Sequence, residues 1–164
     1  MINQTLLPEL KQEAANTKKM LERMPADKWD WKPHGKSFSL GKLANHVADL
    51  LNWTAFTIGS DGIDWAEFKY QPEEATDSAG LVAIADKHLQ ASVKALEEAS
   101  DERLMQPWTM RNGEQVFFTM PRIAVIRTFA MNHMIHHRAQ LSVYLRLLDI
   151  PVPGMYGPTA DEMM

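Results

Sequence analysis

The chain contains no cysteine. Disulfides, thiolate metal sites and cysteine nucleophiles are thereby excluded, and any metal must be held by His, Asp, Glu or water. No apolar run approaches the ~20 residues that cross a bilayer. The first residues, Met1-Ile2-Asn3-Gln4-Thr5, lack the basic stretch and apolar core of a signal peptide. An excess of positive charge is missing too. Lys and Arg total 17 against 21 Asp and Glu, a net charge of -4, which argues against nucleic-acid binding through a broad basic surface. Also lacking are a phosphate loop, a dinucleotide fingerprint, a His-Glu-x-x-His zinc-protease motif and the paired Glu-x-x-His segments of a di-iron bundle. These absences lead to the expectation of a cytoplasmic protein with neither nucleic-acid nor membrane partners.

What is present is a chain of 164 residues, 45% of them hydrophobic, enough for one domain over 1–164 with a core. Four segments carry helical periodicity. The first runs from about Asn3 to Met24, with Leu6, Leu10, Ala14, Thr17 and Leu21 on one face, and stops at Pro25. A loop with Trp29 and Trp31 follows. The second starts at Ser39 as N-cap and runs to about Ile58, with Leu43, His46, Val47, Leu50, Trp53 and Thr57 sharing a face. A polar connection over 63–76 leads to the third, Asp77 to Ala99. Segments 105–110 and 115–120 flank Asn112-Gly113, a tight-turn signal, and are expected to form a β-hairpin. The last helix starts at Pro121 and runs to about Leu148, with Ile126, Ala130, His133, His137, Leu141, Tyr144 and Leu148 as its inward stripe. The expected fold is all-α: a four-helix bundle with a small β-hairpin before the last helix.

Three of the six histidines crowd into Asn132-His133-Met134-Ile135-His136-His137. His133 and His137, four apart, share one helix face, the spacing by which two imidazoles grip one ion. Burying two polar rings without partners would cost roughly 1–3 kcal/mol each, and a shared metal removes both costs. His46, between Leu43 and Leu50 on the second helix, can complete a three-histidine site for zinc, nickel or a similar ion. The competing account makes these core or surface histidines bonded to backbone and carboxylates. Asp49, three residues after His46, either accepts its second ring proton or is an ordinary exposed helix carboxylate. His136 lies about 60° from His133 around the helix and is either a replacement ligand or a supporting residue. His88 is expected to be packed and His34 to face solvent.

Two stretches carry a resemblance: Leu43-Ala44-Asn45-His46-Val47-Ala48-Asp49, and Asn132 to Leu141 with its His-x-x-x-His pair. Together with Trp108 to Gly113, Phe118 to Arg122 and the end from Tyr144 to Glu162, they resemble the DinB-like, damage-inducible family of metal-binding helical bundles. The resemblance covers essentially the whole chain. It implies a bundle with a long crossover, often dimeric, with His46, His133 and His137 as ligands and zinc or nickel as the ion. In the wider superfamily it implies metal-dependent S-transferases that use low-molecular-weight thiols. The expected function is therefore transfer of such a thiol to an electrophilic small molecule by a homodimer. A non-catalytic, stress-related metal-binding bundle and a metal-dependent hydrolase are the alternatives.

Overall fold

In a computed structural model, which describes residues 1–162, most of the chain is helical. α1 covers Ile2–Leu21, α2 Leu40–Leu50, α3 Trp53–Gly59 and α4 Ser78–Glu98. A short α5, Asp101–Met105, precedes a three-stranded sheet built from β1 (Gly62–Asp64), β2 (Pro107–Asn112) and β3 (Gln115–Pro121). The last helical leg is α6 (Arg122–Val125), a π-helical segment (Ile126–Asn132) and α7 (His133–Leu147). The fold is mostly helical, as expected, but with a sheet beyond the hairpin and with two of the four helical legs interrupted. Among the described residues no helix is long and apolar enough to cross a membrane.

The starts follow local chemistry. Ser39 accepts a hydrogen bond from Lys42 N at 3.3 Å and Asp77 from Gly80 N at 2.7 Å, each satisfying an orphan donor of a first turn. α7 ends at Leu147, short of the prolines: Asp149 takes a left-handed φ of 57° and Ile150 N bonds back to Leu145 O at 3.0 Å. The loop after α1 is docked, because Trp29 lies against Gly41. A Cβ there would sit 2.2 Å from the Trp29 ring.

The helix expected over 39–58 is two helices. Residues 51 and 52 keep right-handed helical dihedrals but form a turn in which the hydrogen-bond ladder is interrupted, and α4 supplies what the broken ladder loses. Ser92 Oγ donates to Leu51 O at 2.5 Å and accepts from Ala55 N at 3.1 Å. One turn earlier, His88 Nδ1 bonds Ala48 O at 3.2 Å. Partners 40 residues away thus stabilise a break that no proline or glycine announces.

The hairpin forms about a two-residue turn, Gly113-Glu114, with Gly113 at φ 58°. The missed strand, β1, joins β2 in parallel. Trp108 and Met110 face inward from β2. Arg122, 1% exposed, ties sheet to helices by donating to Thr57 O, Ser60 O, Pro107 O and Asp61.

One buried ion pair fixes α7 against α1. Arg138 is 2% exposed and donates to Glu13 Oε2 at 2.6 Å, Glu13 O at 2.9 Å and Thr17 Oγ1 at 3.1 Å. Tyr156, from the C-terminal stretch, bonds both partners. Removing one member strands the other charge in the core. Glu13→Ala is expected to lower unfolding free energy by about 3 kcal/mol, and Tyr156→Phe by about 1 kcal/mol, both read by urea denaturation.

Candidate metal centre

The π-helical turn decides how α7 presents its histidines. Its wider winding breaks the single 3.6-residue period assumed for the whole leg. Arg122 and Val125 are buried before it, Ile126, Ala130 and Met131 within it, and Met134, Arg138, Leu141, Tyr144 and Leu145 afterwards. His133 and His137 consequently stand on the flank of the buried stripe, half-buried, rather than at its centre as expected. Behind His133, Phe129 packs at 5.5 Å between ring centroids and in turn touches Trp53 and Phe118. The sheet thereby braces the site.

Because α2 packs against α7, His46 reaches the same point. His133 Nε2 lies 2.8 Å from His137 Nε2 and 3.5 Å from His46 Nε2. The ligand atoms of the three histidines all lie within 4.8 Å of one another, and among the described residues no carboxylate joins them. A tetrahedral ion with bonds of 2.0–2.1 Å needs nitrogens about 3.3 Å apart, and the observed separations bracket that value. The donor set, three imidazoles and no thiolate, suits a borderline divalent cation.

The protonation pattern fits as well. His137 Nδ1 donates to Gln140 Oε1 at 2.8 Å, leaving its Nε2 lone pair toward the cluster. Gln140 Nε2 in turn donates to His136 Nε2 at 3.0 Å. His136 is exposed and outside the cluster, in the supporting role. His133 Nδ1 is buried with no partner in hydrogen-bond geometry. Burial pulls the His46 imidazole down to about 4, with the charges of His137 and His133 adding to the shift. Burial also lowers His133, where the Phe129 backbone opposes the shift, and His137, where Gln140 opposes it. Neutral rings are the form that binds metal.

The cluster opens into a cavity of about 430 Å³. Phe38, Lys42, Asn45, Asp49, Tyr70, Pro72 and Glu74 complete its wall. Asp49 takes neither of its expected roles: it is buried and accepts the Tyr70 hydroxyl. Burial and this carboxylate push the Tyr70 phenol above its ordinary range. Asn45, one residue before His46, exchanges two bonds with the Ala75 backbone at 2.9 and 2.7 Å. Tyr70 and Ala75 thus fasten segment 70–75 over the cavity, with Glu73–Lys87 as a third tie at 2.7 Å. Sequence reasoning missed Asn45, Tyr70 and Gln140 as site residues. Gln140 was findable, three residues from His137 and four from His136. Tyr70, in an irregular stretch, carried no signal. His88 and His34 lie away from the cluster, packed and exposed respectively.

A mostly helical scaffold with a small sheet, carrying a three-histidine group that could bind a metal, defines the class: a helical protein with a candidate metal site. The chain belongs to the DinB family, whose sequence model matches residues 1–164. It is 28% identical over 153 residues to the Bacillus subtilis protein YrdA, covering 92% of this chain and 85% of that one. It is 26% identical to B. subtilis YjoA over 130 residues, 79% of this chain and 80% of the relative. Its fold is similar to that of a DinB-like protein from Bacillus cereus ATCC 10987 (TM-score 0.70, 24% identity, 92% of this chain and 95% of that chain). The crystal structure of YjoA is also similar (TM-score 0.69, 21% identity, 90% and 96% covered).

Two outcomes follow. His46 titrates lower in the folded chain than in the unfolded one, so the unfolded chain takes up protons first as pH falls. The stability of metal-free protein is therefore fully present above about pH 6.5 and falls as pH drops toward 4. Carboxylates held low, such as Asp161 at about 2 beside Arg146, act only below that window. Urea unfolding at pH 7.5, 5.5 and 4.5 should show the slope, and His46→Leu should flatten it. Gln140→Leu, which frees the His137 ring, should weaken metal affinity about 10- to 100-fold, read by competition with a chromophoric chelator.

Proposed function

We propose that His46, His133 and His137 hold one divalent cation, zinc or nickel, in a single-domain enzyme that transfers a low-molecular-weight thiol to an electrophilic small molecule. The observation that carries this reading is the convergence of three Nε2 atoms on the wall of a cavity of about 430 Å³, with no fourth ligand-type side chain closing the group among the described residues. Structural zinc sites are enclosed by four protein ligands, whereas catalytic ones leave a position for a reactant.

A bound divalent ion would supply Lewis acidity, lowering the pKa of a thiol that reaches it. The remaining work falls to the chain. Gln140 holds the His137 tautomer, and Phe129 packs behind His133. Asp49, on the cavity wall, is the carboxylate that accepts the thiol proton, with Tyr70 orienting it. Phe38 and Pro72 exclude water from the reacting atoms. In the transfer, the thiol proton goes to Asp49, a sulfur lone pair forms the new C–S bond, and the leaving group departs with the electron pair of the bond it breaks. With no cysteine in the chain, the sulfur must come from the co-substrate. A homodimer is the assembly proposed, on the family resemblance; exposed Val116 and Phe117 on β3 are apolar side chains it would cover.

The test is metal content by mass spectrometry of untagged protein, alongside His133→Ala and His137→Ala. Near-stoichiometric zinc or nickel, lost in both variants, is expected, followed by thiol-consuming turnover in a thiol and electrophile screen. Occupancy that survives both changes would sink the ligand assignment. Water-only turnover would identify a hydrolase instead. For an ion in a preformed bundle, saturation to 100 times Kd should add about 2.7 kcal/mol to stability, and chelation should leave a folded protein by circular dichroism.

A further inference from the structure

Segment 70–75, fastened over the first cavity, has a second cavity behind it. This one measures about 470 Å³, and no histidine of the cluster lines it. The two share Asp49, Tyr70 and Pro72 as a common wall. The volume is in the range of small-molecule sites.

Two of its wall residues are deeply buried and incompletely bonded. His88, 9% exposed, bonds Ala48 O through Nδ1 at 3.2 Å. A carbonyl only accepts, so Nδ1 carries the proton and Nε2 of the neutral ring presents a lone pair. That Nε2 is neither hydrogen-bonded among the described residues nor sealed off by protein atoms. Asp49, 6% exposed, has Oδ2 committed to Tyr70, while Oδ1 has no partner among the described residues.

Buried acceptors cost free energy until a donor meets them. The cavity therefore suits a ligand with N–H or O–H donors, and the Asp49 carboxylate favours a positively charged one. Phe68 and Tyr70, with ring centroids 6.3 Å apart, offer aromatic faces that attract cations and cover short alkyl chains. The other wall charges lie at the rim. Glu73 and Lys87 pair with each other at 2.7 Å, and Lys69 is exposed, with its ammonium free to reach water. A bare metal ion is a poor fit: among the described residues only the three-histidine group brings its ligand atoms within 4.8 Å of one another.

We propose that this cavity binds a small primary amine in its ammonium form. The N–H groups donate to His88 Nε2 and Asp49, and a short apolar chain lies on Phe68 and Tyr70. The site itself is independent of metal. Its consequence for catalysis rests on the transferase reading above: an ammonium beside Asp49 makes that carboxylate a weaker proton acceptor, so the amine is an inhibitor.

The test is NMR titration of the full chain with n-butylammonium, read at the imidazole signals. Tetramethylammonium supplies charge without donors, and n-butanol a donor without charge. Saturable shifts at His88, with His46, His133 and His137 unmoved, are expected, and both counterparts should bind about tenfold more weakly. Gln71 is exposed and lines the second cavity but not the first. Gln71→Trp should fill it and weaken n-butylammonium about tenfold. Lys42→Trp, which fills the first cavity, should leave binding within about twofold. No saturable shift at His88, equal binding of either counterpart, or loss in Lys42→Trp but not in Gln71→Trp overturns the site. Metal content of the same samples tests the metal reading separately.

Discussion

Three neutral imidazoles meet at their Nε2 atoms, and nitrogen is joined to nitrogen there either by an N–H shared from ring to ring or by a cation among them. His133 Nε2 lies 2.8 Å from His137 Nε2 and 3.5 Å from His46 Nε2. Burial holds all three rings below their ordinary pKa, in the neutral form that binds a cation. The rest of the molecule keeps these rings together at that point.

The support comes in layers. Gln140 sets one tautomer, and the aromatic contacts from Phe118 through Phe129 brace His133. Arg138, next to His137 in sequence but on a different flank, anchors α7 to α1 through Glu13. A buried pair of this kind adds little over an apolar substitute. Its contribution is to make one seating of α7 far better than a rotated one, in which the guanidinium would be unpaired. The ion pair and the histidines thus use adjacent residues, about 100° apart, to specify two different faces of one helix.

The cavity wall has a different origin. Segment 70–75 has no regular structure and is held by Tyr70–Asp49, Ala75–Asn45 and Glu73–Lys87. Asn45 and Asp49 are one turn apart on α2 and flank His46. One stretch of seven residues, Leu43 to Asp49, therefore supplies a ligand-type histidine, both α2 anchors of the strap and a cavity-wall carboxylate. Local helix geometry makes that economy available, since residues three and four apart share a face.

Helical periodicity, the caps at Ser39 and Asp77, the Gly113 turn and the convergence-ready spacing of His133 with His137 were determined by sequence alone. They depend on interactions within a few residues, and such interactions repeat wherever the same pattern occurs. The pairing of His46 with them was inferable only as a matching stripe. What tertiary structure decided depends on distant partners. Ser92 and His88 on α4 stabilise the break between α2 and α3. Arg111 and Thr109 offer β1 a strand to join. Tyr70 captures Asp49, for which sequence spacing left two roles open, partner of His46 or exposed carboxylate. The π-helical turn before His133 shifts the phase of the last leg, so that the histidines line a cavity instead of the core. Backbone hydrogen bonds can be satisfied by partners from anywhere in the chain, and a local pattern carries no record of which distant partner will supply them.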